Sequence, residues 1–281
     1  MRWSSLVDIK HISKDWGNFK DYLHKKINGV KTGFPALDLQ IMGLPGITGV
    51  LGEPGSYKST FCLQVAAYHA QNYGPVLYFD AENGLNRIRF RLICQLLNVC
   101  PQMLVSSSDD VLVRAADVLA DFPLYVMTNI DFYNLESFVE EAIAKTGAKR
   151  VMLVIDSLQT LPNLHENKRY SMSMWMFALN DLKKKYDNVL TILAPIEKKR
   201  GTYETSGMDS GKESGDIEYK AEVLLDIQRS KKDGDNYLTV TCIKDRDGPS
   251  GVKFLLRPVL SDPDVPTSFT YKLQETEIVD L

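Results

Sequence analysis

A lysine and a serine follow a turn rich in glycine and proline, where residues 52–60 read GEPGSYKST. Such a loop can point successive backbone N–H groups at phosphates, while the lysine reaches the terminal phosphate oxygens and the serine hydroxyl binds Mg²⁺. The spacing G-x-x-x-x-G-K-[ST] is kept except that Tyr57 replaces the second glycine. Tyr57 can still supply its N–H if its backbone tolerates a Cβ and its ring points away from the phosphates. We therefore expect a nucleotide site, rather than a decayed loop that binds nothing, at Gly52, Glu53, Pro54, Gly55, Ser56, Tyr57, Lys58, Ser59 and Thr60.

Acidic residues end two apolar segments that follow this loop. RVMLVID ends at Asp156, and PVLYFDAE carries Asp80 and Glu82. A carboxylate at Asp156 can complete a Mg²⁺ site with Ser59, and Glu82 can orient or deprotonate the water that attacks a γ-phosphate. Each acid alone is weak support, because aspartates at strand ends often cap helices. Their order along the chain favours the catalytic interpretation.

Two cations stand two residues apart in KDRDGPSG, at Lys244 and Arg246. This spacing places both on one side of a strand, where both could meet a phosphate. The alternative is a charged turn that faces water.

Two basic loops are candidates for contact with nucleic acid. The first, NLHENKRYS, follows the Asp156 strand and contributes Lys168 and Arg169. The second, EKKRGTYETSGMDSGKES, contributes Lys198, Lys199, Arg200 and Lys212. The second loop is long and rich in Gly and Ser, which is typical of functional loops. A plain solvated loop is the alternative, since its acidic residues dilute the positive field.

The segments around these residues alternate between short β-rich runs and helical patterns. Strands are predicted at TGVLGE, PVLYFD, PLYVMT, RVMLVID and NVLTILAP, with helices starting at Lys58, Leu85, Leu135 and Ser171. This alternation predicts an α/β fold whose sheet is mostly parallel and flanked by helices. After residue 220 the runs AEVLLDIQRS, NYLTVTCIKDRDG and GVKFLLRP leave little room for helices, so the sheet is expected to end in antiparallel strands.

Three regions are expected along the chain. Residues 1–29 carry apolar residues at helical spacing, which predicts an arm that packs on its own core or docks on a neighbouring subunit. Residues 30–260 form the main domain. Residues 261–281, acidic and interrupted by proline, are expected to be a short strand with a tail.

Composition limits the classes of protein. The chain has 281 residues, 44% hydrophobic content and a formal charge of −3, which fits one large core and excludes a uniformly basic coat for nucleic acid. The four cysteines lack zinc-ligand spacing, so we expect buried thiols in a reducing cytoplasm. No apolar run approaches the roughly 20 residues of a membrane span, so we expect a soluble protein.

Residues 30–257 resemble the RecA-type ATPase core of the DnaB replicative helicases and of the bacterial RadA (Sms) helicases. The similar segments are residues 29–60 around the loop, DAENGL, VIDSLQTL, SGKESGDIEYKAEVLLDI and IKDRDGPSGVKF. The resemblance implies a RecA-like fold, ATP and Mg²⁺, action on single-stranded DNA, and a homo-oligomer, either a hexameric ring or a filament. It also implies that Lys244 and Arg246 reach the γ-phosphate held by the next subunit. Replication or recombination proteins would be its partners.

Two departures from the family pattern keep other functions open. The family often has Gln or His at the end of the strand before the second loop, where TILAPIEKK offers Ala194 and Pro195. The aromatic Tyr57 resembles the loop of RecA-like recombinases of large phages, which would act in a host cytoplasm. We therefore expect a helicase motor, with a strand-pairing recombinase or a non-hydrolysing assembly or loader protein as the alternatives.

Overall fold

The computed structural model of the protein describes residues 16–27, 29–187, 189–197, 220–232, 235–265 and 267–279. Within these ranges the helices are α1 (Trp16–Ile27), α2 (Pro35–Ile41), α3 (Lys58–Asn72), α4 (Gly84–Leu97), α5 (Pro101–Val105), α6 (Asp109–Ala120), α7 (Leu135–Thr146) and α8 (Lys168–Lys185). The strands are β1 (Ile47–Gly52), β2 (Val76–Asp80), β3 (Leu124–Met127), β4 (Val151–Asp156), β5 (Leu190–Glu197), β6 (Val223–Lys232), β7 (Asp235–Asp245), β8 (Lys253–Leu260) and β9 (Phe269–Val279).

All of these strands belong to a single sheet in the order β3-β2-β4-β5-β1-β6-β7-β8-β9. The first six strands in this order are parallel, and β6 to β9 pair antiparallel. The predicted α/β class, with a mostly parallel sheet and C-terminal antiparallel strands, is confirmed. Parallel strands bring their carboxyl ends to one edge, so the acidic strand ends of the sequence meet there.

The central strands are buried on both faces, as their nearly continuous apolar sequence predicts. Alternate residues of one strand enter different cores because side chains change face at each step. In β1, Val50 packs into the core that contains Phe61 of α3, whereas Leu51 packs into the core that contains Trp175 of α8. The four cysteines are free and buried, as expected.

The C-terminal segment differs from the short strand and tail that its sequence suggested. β9 is 11 residues long and pairs with β8 along most of its length. Gln64 of α3 donates to the backbone oxygen of Leu273 (2.9 Å) and accepts from its N–H (2.7 Å). Glu275 accepts hydrogen bonds from the N–H groups that begin α2. The last strand is therefore bound to two helices of the main domain.

Helix α1 exposes its aromatic residues in the described part of the chain. Trp16 is 62% exposed, Phe19 46% and Leu23 43%, and the two aromatic rings contact each other with centroids 5.5 Å apart. These three side chains thus keep much of their surface open to solvent. None of the described helices combines the length and apolar character needed to cross a membrane.

Candidate nucleotide-binding site

The loop between β1 and α3 has left-handed backbone at two positions. Gly55 has φ 75°, and Tyr57, directly before the first residue of α3, has φ 70°. The conformation at Tyr57 costs a residue with a Cβ about 1–2 kcal/mol relative to ordinary helical backbone, which explains why glycine suits this position. The ring of Tyr57 packs edge-on against Phe269 of β9, with centroids 5.3 Å apart. This contact offsets part of the backbone cost.

Arg229 of β6 contacts the same loop. Its Nε donates to the backbone oxygen of Gly55 (2.8 Å), and its guanidinium carbon lies 5.2 Å from the centroid of the Tyr57 ring. A cation over an aromatic face is an attractive arrangement. The sequence does not point to Arg229, because a single arginine in a strand carries no signal of contact with a loop so far away along the chain.

The loop has the donors and the shape that phosphate oxygens require. Nζ of Lys58 donates to the backbone oxygens of Gly52 (2.7 Å) and Glu53 (2.8 Å), so the ammonium lies inside the loop. The buried hydroxyl of Ser56 has no hydrogen-bond partner among the described residues. A Cβ on Gly52 would collide with that hydroxyl and lie 2.8 Å from the oxygen of Ile227. The hydroxyl, the ammonium and the amino end of α3 together fit a phosphate group.

Ser59 and Asp156, the two expected Mg²⁺ ligands, are in contact. The hydroxyl of Ser59 donates to Oδ1 of Asp156 (3.2 Å), and the hydroxyl of Tyr78 donates to Oδ2 (2.9 Å). Burial raises the pKa of Asp156, although both hydrogen bonds oppose this. Since burial penalises the charged carboxylate, a cation beside it would be favoured. In the described part of the chain, no three His, Cys, Asp or Glu side chains gather as a metal site.

Tyr78, which the sequence motifs do not include, also belongs to the site because it contacts Asp156. It lies on β2 two residues before Asp80, so the two side chains share the face that packs against α3. Burial raises the pKa of its phenol well above the usual range, so Tyr78 remains a hydrogen-bond donor to Asp156. The sequence VLYFD contains a signal for this role. Side chains two residues apart in a strand share a face, so Tyr78 lies on the same face as Asp80 and further inside the sheet.

Asp80 shapes the turn that presents Glu82. The buried carboxylate of Asp80 accepts hydrogen bonds from the N–H groups of Glu82 (2.9 Å) and Asn83 (2.7 Å), as an Asx turn does. Glu82 is exposed at the entry to α4. Asp80 pairs in register with Asp156, so Glu82 follows the strand next to the Ser59–Asp156 pair.

The strand before the second basic loop ends later than expected. The sequence predicts its end at Ala194 and Pro195, but β5 continues to Glu197, whose register partner is Gly52. Ala194 and Pro195 are buried inside the strand. The predicted end of the strand at Pro195 is therefore corrected, because pairing with β1 extends β5 past its proline. An exposed carboxylate stands at the edge that carries the loop.

Lys58 is surrounded by these carboxylates. Burial lowers its pKa, and the charges of Glu197, Asp156 and Glu82 act in the opposite direction, with Glu197 as the largest of the three. The three acids that act on Lys58 therefore come from the ends of three parallel strands or the turns that follow them.

Lys244 and Arg246 lie at the opposite end of the strands from the loop, beside the amino ends of β6 and β1. Lys244 is near the end of β7, and Asp245 pairs with Val223, which in turn pairs with Thr48 at the start of β1. The distance along β1 from Thr48 to Gly52 is about 13 Å at the usual rise of a strand. Nζ of Lys244 donates to the oxygen of Ala221 (2.7 Å). The structure therefore does not bring this pair to the loop of its own chain.

Lys168 and Arg169 are exposed at the first turn of α8, rather than in a loop. The side chain of Asn167 accepts a hydrogen bond from the N–H of Arg169 (2.9 Å) and so fixes the start of the helix. The segment follows β4 and therefore leaves the sheet at the edge that carries the nucleotide loop. The other predicted nucleic-acid contacts lie outside the described residues: Lys198, Lys199, Arg200 and Lys212.

Comparison with known proteins agrees with this geometry. Among solved structures, the chain is similar to the ATPase domain of another protein (TM-score 0.80, 21% identity, covering 95% of this chain and 100% of that one). It is also similar to a DnaB-like replicative helicase (TM-score 0.79, 20% identity, 95% and 69% covered). A KaiC-like protein from Pyrococcus horikoshii matches with a TM-score of 0.59, 18% identity and 89% and 99% covered. These likenesses establish the RecA-like fold.

A family comparison identifies the chain more closely. No curated protein sequence matches it. The model of the family described as DnaB-like helicase C terminal domain matches residues 29–257, most of the chain and the whole of the loop, both strand-end acids and the Lys244–Arg246 turn. The protein therefore belongs to the DnaB-like helicase C-terminal domain family, whose members are ATP-dependent helicase motors.

Proposed function

We propose that the protein hydrolyses ATP with Mg²⁺ and couples hydrolysis to movement along single-stranded DNA, which unwinds duplex DNA. The observation that carries this proposal is the convergence of Lys58, the Ser59–Asp156 pair and Glu82 at one edge of the sheet. Residues 52–60 would hold the phosphates through backbone N–H groups and Lys58. Ser59 and Asp156 would hold Mg²⁺, which when bound neutralises phosphate charge.

Glu82 is the proposed general base. It follows a strand adjacent to that of Asp156 and is exposed, so a water molecule can reach it. Asp80 fixes the backbone of Glu82 by accepting its N–H. In the proposed reaction, Glu82 orients the water that attacks the γ-phosphorus and accepts its proton, while Lys58 stabilises charge on the phosphate oxygens.

A neighbouring subunit would complete the site. Lys244 and Arg246 lie at the edge away from their own loop, which supports a role in trans of the arginine-finger kind. The proposal therefore includes a homo-oligomer, as a hexameric ring. The exposed aromatic residues of α1 support an arm that docks on a neighbour.

DNA contact is proposed for the basic residues near the loop edge. Lys168 and Arg169 are exposed at the start of α8, and Lys198, Lys199, Arg200 and Lys212 follow β5 in the sequence. Binding through such residues should weaken steeply as salt rises, because phosphate contacts release counterions. The DnaB-like replicative helicase of the comparison interacts with primase, and we propose replication or recombination proteins as partners here.

The first prediction tests this activity directly. The wild-type protein should hydrolyse ATP faster when single-stranded DNA is added. Lys58→Ala and Glu82→Gln should each lower the rate at least about 100-fold, because one removes phosphate binding and the other the base. A phosphate-release assay with and without DNA measures both effects. Strong hydrolysis that remains in both variants would refute the proposal, and tight ATP binding without turnover by the wild type would select an assembly or loader protein.

A recombinase is the second candidate, favoured by the DAENGL turn and by the aromatic residue at Tyr57. Electron microscopy with single-stranded DNA and a non-hydrolysable ATP analogue separates the two. Closed rings support the helicase, and continuous filaments on DNA support the recombinase.

A further inference from the structure

Three acidic residues stand on one face of the sheet at the loop edge. Asp80, Asp156 and Glu197 end β2, β4 and β5, which are consecutive in the sheet, and β1 with the loop comes next. Side chains two or four residues apart in a strand share a face. The three acids therefore lie on the same face as Tyr78, Val154 and Leu193, which pack in the core beneath α3. The proposed mechanism gives roles to the first two acids, and Glu197 is left without one although it is on the strand next to the loop.

The register of β1 and β5 fixes where the side chain of Glu197 stands. Gly52 and Glu197 are partners in a parallel pair, and such partners project to the same face. A Cβ built on Gly52 would lie 3.1 Å from Cγ of Lys58, so this face is the one that Lys58 crosses. The side chain of Glu197 therefore leaves the sheet on the face that Lys58 crosses, next to the loop. The charge of Glu197 raises the pKa of Lys58 more than the charge of Asp156 does, which agrees with this position.

Glu197 also has a defined connection to the Asp156 segment. Nε2 of Gln159, which follows β4 in the turn after Asp156, donates to the backbone oxygen of Glu197 (3.3 Å). This bond holds the end of β5 against the turn that follows β4. The backbone at Glu197 is thus held from both neighbouring strands, while its side chain is exposed.

We propose that Glu197 is a positioning residue that competes with the terminal phosphate of the nucleotide for Lys58 and thereby limits how tightly nucleotide is held. The inference rests on the proposed function only in that residues 52–60 bind a nucleoside phosphate. Lys58 carries one positive charge, and a phosphate that approaches it also approaches the carboxylate of Glu197. Like charges repel even where water screens them, so the carboxylate weakens binding and speeds release.

Equilibrium binding of Mg²⁺ with a fluorescent ADP analogue tests the inference. Glu197→Gln removes the charge and keeps the shape, and we expect binding roughly 5-fold tighter than wild type, the factor for one screened charge pair. Glu197→Asp keeps the charge with a shorter reach and should stay within about twofold of wild type. Glu141→Gln, on the exposed surface of α7, is the matched control and should leave binding unchanged.

Salt and kinetics separate this role from a structural one. The gain in affinity should shrink as salt is raised, because screening weakens the repulsion that the variant removes. In steady-state hydrolysis, Glu197→Gln should lower KM and kcat together, since tighter holding delays release. Unchanged or weaker ADP binding by Glu197→Gln would overturn the inference, as would a gain that salt does not affect. Because the binding assay needs neither hydrolysis nor DNA, failure of the ATPase proposal would leave this result readable.

Discussion

At the scale of single residues, Tyr57 is a side chain in a backbone conformation that suits glycine. Its φ of 70° carries a cost, and the ring contacts with Phe269 and Arg229 offset part of it. The ring packs towards β9, while the Tyr57 N–H remains part of the loop. The tyrosine is therefore compatible with a loop that binds phosphates.

Replacement of Tyr57 tests this compatibility. Tyr57→Gly should bind ATP with an affinity within about threefold of wild type, because the backbone donors are kept and the ring makes no phosphate contact in the proposed site. Lys58→Ala should lose binding, and Tyr57→Phe, which keeps the ring, is the matched control. Isothermal titration calorimetry measures all three. If the glycine variant gains binding that the wild type lacks, the loop is a remnant.

Residue types and spacing predicted some members of the site and not others. Lys58, Ser59 and Asp156 were predicted because a known loop spacing and an acidic strand end constrain them, and the structure brings them together. Glu197 was missed because the proline in LAPIE suggested that the strand had ended, whereas pairing with β1 extends it. Arg229 was missed because its contact with the loop depends on strand order, which the sequence does not state.

At the scale of elements, β9 joins parts of the chain that are far apart in sequence. Its pairing with β8 shifts register between Pro258 and Leu260, and Tyr271 has a left-handed φ of 57°. These irregularities break the alternation that identifies a strand. For this reason the parallel strands were predicted closely, whereas the last strand was taken for a short strand and a tail.

The link between Gln64 and β9 should contribute to stability. Gln64→Ala leaves the N–H and the oxygen of Leu273 without this partner, so we expect the free energy of unfolding to fall by about 1–3 kcal/mol. Gln274→Ala, at an exposed position on the same strand, should change it by less than about 0.5 kcal/mol. Urea denaturation measures both variants. Equal effects would show that the Gln64 hydrogen bonds add nothing.

At the scale of the whole molecule, the two sets of proposed catalytic groups lie at opposite edges of one sheet. The reversal of direction between β6 and β7 carries Lys244 and Arg246 away from the loop edge. One subunit therefore offers a loop at one edge and a pair of cations at the other. Under the proposed role in trans, a complete site requires two chains.

Mixing of two inactive variants tests this arrangement. Lys58→Ala and Arg246→Ala should each be nearly inactive as homo-oligomers. After unfolding and joint refolding at equal amounts, roughly a quarter of the interfaces should combine an intact loop with an intact Arg246, because subunits assort at random in a symmetric ring. Hydrolysis should recover to about that fraction of wild type. Activity that stays at the mean of the two variants would contradict a role in trans.

Under the proposed role in trans, the placement of the loop and the cations at opposite ends of the strands also sets how many working sites an assembly contains. In a closed ring the number of complete sites equals the number of chains. In an open row, the chain at one end has a loop without a neighbour's cations, and the chain at the other end has cations without a loop, so one site is lost. Activity per chain would then rise with protein concentration and level off at ring closure, which makes the turnover number itself a measure of assembly.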